Sequence, residues 1–283
     1  MKVAAVQIDI AFRQVETNLA RIEARLEEAA AAGAKLVVFP ECAVTGYCYD
    51  SWNEALGYTS NIPGPTTQRL AETCRECEVF AVVGMLEHDG EDIYNACVLI
   101  GPEGLVGKYR KIHLPGLGVD NHAAPGDRRW GVYDVDEARV GMHICYDSAF
   151  PESARSMALD GADVLVLPTN FPPGAECLCA NVLPARAMEN GVYLVASNRV
   201  GTERGFRFIG ESKICGPDGE ILALAPANEE AIIYADVDVE RARNKRRVRV
   251  PGKHEINRFA DRRPELYGRI TAPNERQMMF DFE

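Results

Sequence analysis

Nowhere in these 283 residues does an apolar run reach the length needed to cross a bilayer, so no membrane-spanning helix is expected. Positive charge is in short supply. The formal net charge is −11, and an acidic protein is repelled by phosphate backbones and anionic membrane surfaces, so neither nucleic acid nor membrane is expected as a partner. The basic run Arg241 to Arg249 is the counter-signal, and it reads as a solvated helix end followed by an edge strand. A secretory leader pattern is missing as well: Lys2 leads into Val3-Ala4-Ala5-Val6, which reads as a first strand. Cysteine is not scarce, but a pairing or ligand pattern is. The nine cysteines are odd in number and scattered. Cys74-x-x-Cys77 has no second pair to complete a site, Cys177-x-Cys179 stands alone, and no HExxH is present. Free thiols in a reducing cytoplasm follow, with no metal expected. The chain also lacks the GxSxG of an α/β-hydrolase, the Gly/Ser-rich stretch of a Ser-Ser-Lys amidase, any internal repeat and any low-complexity segment.

What is present is an alternation of strands and helices. Residues 2–8 read as a strand. Residues 16–32 carry Leu19, Ile22, Leu26 and Ala29–Ala30 at helical spacing, and Gly33 ends that helix. Lys35 to Phe39 is a short buried strand running into Pro40-Glu41. A helix over 64–77 has Pro65 in its first turn. Strands follow at 79–86, 94–101 and 104–109, then a loop rich in Gly, Pro and Asp over 119–131. Strand 139–144 runs into Cys145. Beyond it come a helix from Pro151, a strand at 163–167, a helix over 177–190, and strands at 192–197, 208–215 and 231–237. The alternation argues for α/β architecture, and the runs of consecutive strands argue for mixed rather than purely parallel sheets. No linker divides the chain, so one domain over 1–283 is expected. From about residue 250 a tail without periodicity extends from the core, with contacts between copies as its expected role.

Three residues draw attention as chemistry. Cys145 stands where an apolar strand ends and a helix-forming segment begins, a turn that exposes a nucleophile and aims backbone N–H groups at it. A cysteine so placed is, on position alone, more often a small core residue. Its neighbour His143 lies inside the strand and reads as packed. Glu41 follows Leu36-Val-Val-Phe39-Pro40 at the carboxyl end of a strand, where ligands bind in open α/β sheets. A carboxylate among apolar residues gains the raised pKa that suits a general base, though Pro-Glu alone is more often a surface turn. Strand alternation puts Tyr109 and Lys111 on one face, where a buried lysine would stabilise developing negative charge. An exposed strand lysine is the commoner case.

Taken in order, Phe39-Pro-Glu-Cys-Ala-Val-Thr-Gly46-Tyr47, Lys108-Tyr-Arg-Lys111-Ile-His-Leu-Pro115 and Gly141-Met-His-Ile-Cys145-Tyr-Asp147-Ser-Ala-Phe150-Pro-Glu152 resemble the nitrilase superfamily of carbon–nitrogen hydrolases. The resemblance continues through Gly161-Ala-Asp163 to Asn170, Arg186-Ala-Met-Glu-Asn190 and Ser197-Asn-Arg-Val-Gly201, and closes near Arg263-Pro-Glu-Leu-Tyr267. It implies a four-layer α-β-β-α sandwich, assembly into homodimers or larger even oligomers, and no cofactor. It also implies a triad of Glu41 as proton-transfer base, Lys111 as oxyanion stabiliser and Cys145 as nucleophile, with the Tyr146 N–H as second oxyanion donor. Many members carry a second glutamate after the lysine; here Asp120, one methylene shorter, is the nearest carboxylate.

Cys145-Tyr146-Asp147 looks like the amidase and carbamoylase branches, since true nitrilases usually show an aromatic and then Glu there. Members acting on ω-amide acids or N-carbamoyl amino acids often place an arginine beyond the cysteine to pair with a carboxylate. Ser148 and Ala149 occupy those places here, leaving Arg199, Arg204 and Arg207 as remote candidates for a clamp and Asp147 and Glu176 as room for an amine. Tyr47, Trp52, Asn170 and Phe171 are the expected substrate contacts. The expected reaction is hydrolysis of a small amide or N-carbamoyl compound. Alternatives are nitrile hydrolysis, and acyl transfer or a non-catalytic binding role on the same fold.

Overall fold

The computed structural model describes residues 1–272. They form two compact units, the first over residues 1–244 and the second from Lys245 onward. In chain order the first unit contains β1 (Lys2–Gln7), α1 (Val15–Ala31), β2 (Leu36–Val38), α2 (Trp52–Leu56), α3 (Pro65–Cys77), β3 (Phe80–Asp89), β4 (Asp92–Gly101) and β5 (Gly104–Arg110). Then come β6 (Val132–Val135), β7 (Ala138–Met142), α4 (Pro151–Leu159), β8 (Val164–Thr169), α5 (Leu183–Asn190) and β9 (Tyr193–Asn198). It ends with β10 (Thr202–Glu203), β11 (Phe206–Arg207), β12 (Lys213–Cys215), β13 (Ile221–Leu224), β14 (Ala231–Asp236) and α6 (Val239–Arg243). The second unit holds the antiparallel hairpin β15 (Arg246–Val250) and β16 (His254–Asn257), then α7 (Gly268–Thr271).

Two six-stranded mixed sheets carry the first unit, in the orders β14-β1-β2-β3-β4-β5 and β13-β12-β9-β8-β7-β6. Each has three parallel strands in the middle, β1-β2-β3 in one and β7-β8-β9 in the other. Antiparallel strands flank each trio. Over five strands each, β1-β2-β3-β4-β5 and β7-β8-β9-β12-β13, the two sheets repeat one connectivity, although no repeat is visible in the sequence; the sixth strand differs, β14 returning from late in the chain and β6 forming a hairpin with β7. The central strands are buried on both faces, which is why β2, β8 and the start of β9 read as unbroken apolar runs rather than alternating ones.

Side-chain alternation sorts the core into layers. Ala4, Val6, Val37, Ala81, Val83, Ala96 and Val98 pack with Leu19, Ile22, Leu26 and Ala29 of α1 and with Leu70 and Cys74 of α3. The intervening residues Val3, Ala5, Leu36 and Val38 point the other way, towards the second sheet. There Cys97 Sγ of β4 meets Met142 Sδ of β7 at 3.9 Å, and Ser197 Oγ of β9 donates to the Val6 carbonyl at 2.7 Å. On the far side α4 and α5 cover the second sheet, burying Ala154, Met157, Leu183 and Ala187. The layers are α-β-β-α. Each fully buried aliphatic side chain contributes about 1.5–3 kcal/mol.

The structure differs from the sequence reading in three places. The strand expected over 208–215 forms only at Lys213–Cys215, because Gly210 and Glu211 have φ of 62° and 56° and break the extended run. The helix expected over 177–190 opens as a π-turn at Leu178–Val182 before α5; Pro184 has no N–H to continue regular spacing there. The stretch from Pro251 is not wholly irregular, since it contains β16. Of the apolar tail residues, Phe259, Leu266 and Tyr267 belong to the second unit, and Met278, Met279 and Phe280 lie outside the described residues.

One glycine sets a tolerance that matters for the site. A Cβ on Gly84 of β3 would sit 2.5 Å from the Cys42 nitrogen and the Pro40 oxygen and 2.7 Å from the Glu41 Cα. Gly57 has open space and an ordinary helical φ of −65°. Gly84→Ala is expected to destabilise by about 1–3 kcal/mol through overpacking. Gly57→Ala should be neutral or stabilise slightly. Urea denaturation of the two variants checks this; equal midpoints would refute the close-approach argument.

Candidate active site

Glu41 sits just past the carboxyl end of β2, in a turn pressed onto Gly84, with its side chain fully buried. Lys111 continues β5 by one residue: its N–H donates to the Asn95 carbonyl at 2.8 Å and its own carbonyl accepts from Gly126 N at 2.8 Å. That pairing delivers the ammonium to Glu41 Oε1 at 2.7 Å and to Asp120 Oδ2 at 2.5 Å. Asp120 lies on the short 3₁₀ turn Gly118–Asn121, and Tyr47 donates its hydroxyl to Asp120 Oδ2 at 2.7 Å. Asn95 of β4 donates to Glu41 Oε1 at 2.7 Å and to Asp120 Oδ1 at 2.8 Å. Glu41 Oε2 is buried without a partner among the described residues.

Burial alone would strip the Lys111 proton, but the Glu41 and Asp120 carboxylates outweigh it and hold the group charged, its pKa well above the ordinary lysine value. Burial pushes the Glu41 carboxyl above its ordinary range; Lys111 opposes this, Asp120 adds to it, and the bonds from Lys111 and Asn95 oppose it again.

Cys145 opens a 3₁₀ turn, Cys145–Ala149, directly after β7, with a left-handed φ of 45°. Such a backbone costs about 1–3 kcal/mol and persists only where the surroundings hold it. Asp147 supplies much of that hold. Its Oδ2 accepts from Ile144 N at 3.0 Å and the Tyr109 hydroxyl at 2.7 Å, and its Oδ1 from His113 N at 3.1 Å and His113 Nδ1 at 2.7 Å. At the other end of the turn, Arg186 of α5 donates through Nε to the Ser148 carbonyl at 3.0 Å and through an Nη to the Ala149 carbonyl at 3.1 Å. Ser148 Oγ closes onto the Cys145 carbonyl at 2.7 Å.

Cys145 is 7% exposed. Burial, then the Glu41 charge, raise its pKa well above the ordinary thiol value, against the lowering pull of Lys111, the Thr169 hydroxyl and the Asn170 backbone. At rest it is a thiol, and it would act as a nucleophile only once a base had taken its proton. His143 is not that base. It is fully buried, its pKa is pushed down to about 4 by desolvation, and its Nδ1 is engaged with Ser153 Oγ at 3.1 Å.

The other residues singled out from sequence fall in varied places. Asn170, just past β8, donates to the Glu41 carbonyl at 2.9 Å, and its Oδ1 has no partner among the described residues. Phe171 is buried, with its N–H on Asn198 Oδ1 at 2.9 Å. Tyr146 is 38% exposed and stands edge-on to Phe150, which stacks on His113. Trp52 is half-buried at the start of α2. Tyr47 is buried and holds Asp120 through its hydroxyl.

Two of the remote charges change meaning. Arg199 is fully buried and engaged by Glu203 at 2.6 Å and Asp9 at 3.1 Å, which removes it as a clamp for a substrate carboxylate. Asp147 has both oxygens occupied, which removes it as a partner for a substrate amine. Arg204 is paired with Asp50 at 2.5 Å and Glu54 at 2.9 Å. Sequence reasoning missed Asn95 and Arg186. The signal for Asn95 was available: it is a lone amide inside the apolar run Ile93–Ile100. Among the described residues, no three His, Cys, Asp or Glu side chains group as a metal ion would require.

Comparison with known proteins places the chain in a family. The family described as Carbon-nitrogen hydrolase matches residues 2–247. A protein named Nitrilase from Pyrococcus abyssi is 41% identical over 95% of this chain and 100% of its own. Omega-amidase NIT2 of Homo sapiens is 33% identical over 94% and 96%, and N-carbamoylputrescine amidase of Solanum lycopersicum 35% identical over 89% of each. The crystal structure of an amidase from Nesterenkonia sp. shares the fold, with a TM-score of 0.79 at 24% identity over 95% of this chain and 96% of that one. Matched over nearly all of the first unit by the family and nearly end to end by relatives 33–41% identical, this chain belongs to the carbon-nitrogen hydrolase family.

Proposed function

We propose that the protein is a thiol amidase acting on a small amide or N-carbamoyl compound, with Cys145, Glu41 and Lys111 as its catalytic residues. The observation that carries this reading is the division of labour on Glu41. One oxygen is fixed by Lys111 and Asn95, and the other is buried with no partner. As the Cys145 sulfur bonds to the substrate carbonyl carbon, Glu41 Oε2 takes the thiol proton. The resulting oxyanion is held by the Lys111 ammonium and the Tyr146 N–H. Collapse breaks the C–N bond, Glu41 returns the proton to the leaving nitrogen, and a thioester remains. Glu41 then takes a proton from water, hydroxide adds to the thioester carbon, and the sulfur leaves to recover its proton. Asp120, pinned by Tyr47, holds Lys111 in place, the role that a second glutamate has in many relatives.

The substrate preference we infer is for a neutral or amine-bearing molecule over a carboxylate-bearing one. Ser148 and Ala149 offer no cation beside the nucleophile, Arg199 is used inside the fold, and Arg204 is ion-paired. Two relatives are named for amide chemistry and one is named Nitrilase, so a nitrile belongs in the test beside amides and N-carbamoyl amines. A second proposal concerns assembly. The chain is one catalytic domain whose tail serves contacts between copies in a homodimer or larger even oligomer. Exposed Leu159 and Met188, together with Ile221, Leu222 and Leu224 of the edge strand β13, support an apolar contact face. Nine unpaired cysteines support a reducing cytoplasm as its location.

Cys145→Ala is expected to abolish ammonia release and to lack the acyl adduct that intact-mass spectra should show on the wild type. Glu41→Gln and Lys111→Ala should each reduce turnover by about a hundredfold or more, and a variant that keeps more than about a tenth of the rate would overturn its assignment. The base works deprotonated and its pKa is raised, so kcat/KM should fall as pH drops through a value above the ordinary carboxylate range. An acid limb at or below that range would contradict the assignment. In a matched pair differing only by carboxamide or carboxylate at the far end, the carboxamide should win, and a tenfold preference for the carboxylate would show a clamp elsewhere, with Arg207 the first candidate. Light scattering at micromolar concentration should report a dimer or larger; a monomer would refute the assembly proposal.

A further inference from the structure

We propose that Asn95 is a positioning residue for the general base: its side-chain amide fixes Glu41 by one oxygen and so assigns the proton exchange with Cys145 to the other. The proposal rests on the reading of Glu41 as the base. Asn95 has two side-chain N–H hydrogens, and both go to carboxylates, one to Glu41 Oε1 at 2.7 Å and one to Asp120 Oδ1 at 2.8 Å. Its Oδ1 accepts from the Cys42 thiol at 3.6 Å. Turning the amide over would set an oxygen against two carboxylates, so chemistry fixes its orientation. The main chain fixes its place, because the Asn95 carbonyl accepts from the Lys111 N–H at 2.8 Å. The result is a closed ring, from Glu41 to Lys111, to Asp120, to Asn95 and back to Glu41, drawn from four separate segments.

Lys111 alone does not do this. An ammonium is a compact charge with rotatable donors, and it attracts either oxygen of a carboxylate. A second donor on the same oxygen, carried by a different strand, removes that freedom. The donor is also neutral. A second cation here would stabilise the carboxylate further and weaken it as a base, whereas an amide orients without adding charge. Removing this donor from a buried carboxylate raises its pKa, since hydrogen bonds to the charged form favour that form. Lys111 and Asp120 are the charged groups that act on Glu41, and the Glu41 charge in turn raises the pKa of Tyr47, Cys42, Cys97 and Cys145; the substitution removes none of these side chains, but it also takes one bond from Asp120 and one from the Cys42 thiol.

The test needs no knowledge of the natural substrate. The rate at which iodoacetamide alkylates Cys145, followed by peptide mass spectrometry across pH, reads the base that activates the thiol. In the wild type the rate should rise as Glu41 loses its proton. In Asn95→Leu, close to isosteric and without donors, the limb should move to higher pH by about one unit, and the plateau rate should fall by about tenfold or more. Should the leucine variant not fold, the smaller Asn95→Ser is expected to move the limb the same way. A profile that superimposes on the wild type, or one that loses amplitude without a shift, means Asn95 only fills space and overturns the proposal. Glu41→Gln separates the two levels. If that variant keeps the limb, the base assignment itself fails. If it loses the limb while the Asn95 variants keep the wild-type profile, the positioning role alone falls.

Discussion

One ammonium shared between two buried carboxylates is the constraint around which the rest of this molecule is arranged. Lys111, Glu41 and Asp120 have no exposed side-chain surface at all. Charges taken out of water are tolerated only when every partner is in place, and removing one of a buried set costs several kcal/mol because the others are left uncompensated. The group cannot form piecemeal. It needs the turn after β2, the amide of β4, the residue that follows β5 and the 3₁₀ turn at Gly118–Asn121 to arrive together. Tyr47 is the joint between them. Its hydroxyl meets Asp120, its carbonyl accepts from Val119 N at 2.8 Å, and its own N–H donates to Glu203 Oε1 at 2.8 Å. Glu203 in turn is held by buried Arg199, so a cation considered in the sequence only as one of three remote candidates for a clamp steadies the loop that bears the site.

Cys145 is held by a different means. Where the carboxylates are fixed by charge, Cys145 is fixed by backbone strain and the bonds that offset it. Asp147 takes up the N–H before the cysteine, the Tyr109 hydroxyl from β5 and two donors from His113, while Arg186 gathers the carbonyls at the far end of the turn. The two devices share the segment 109–113, which gives Lys111 to one and Tyr109 and His113 to the other.

Much of this was legible in the chain, and the reason is physical. Glu41, Lys111 and Cys145 each close a strand, and a strand's carboxyl end is fixed by hydrophobic runs that a sequence displays openly. The α1 stripe of Leu19, Ile22, Leu26 and Ala29 was readable for the same reason. What escaped were residues whose work depends on contacts distant in sequence. Asn95 meets Glu41 across 54 positions, and Arg186 meets Ser148 across 38. The break at Gly210-Glu211 and the π-turn before Pro184 escaped because local φ choice and a missing N–H overrode apolar patterns that looked continuous. The repeat of one connectivity in the two sheets escaped because topology can recur where side chains do not.

That repeat carries a mechanical consequence. Glu41 belongs to one sheet and Cys145 to the other, so the gap between them is set across the seam, by the Asn170 amide on the Glu41 carbonyl and by the segment 109–113 that reaches both. The filling between the layers adds to this: Val3, Ala5, Leu36 and Val38 on one side, and contacts such as Cys97 against Met142 across the seam. These apolar side chains act as shims. Close-packed interiors transmit a change of even one methylene, so the filling of that seam bears directly on the spacing between Glu41 and Cys145 that the proposed proton transfer requires.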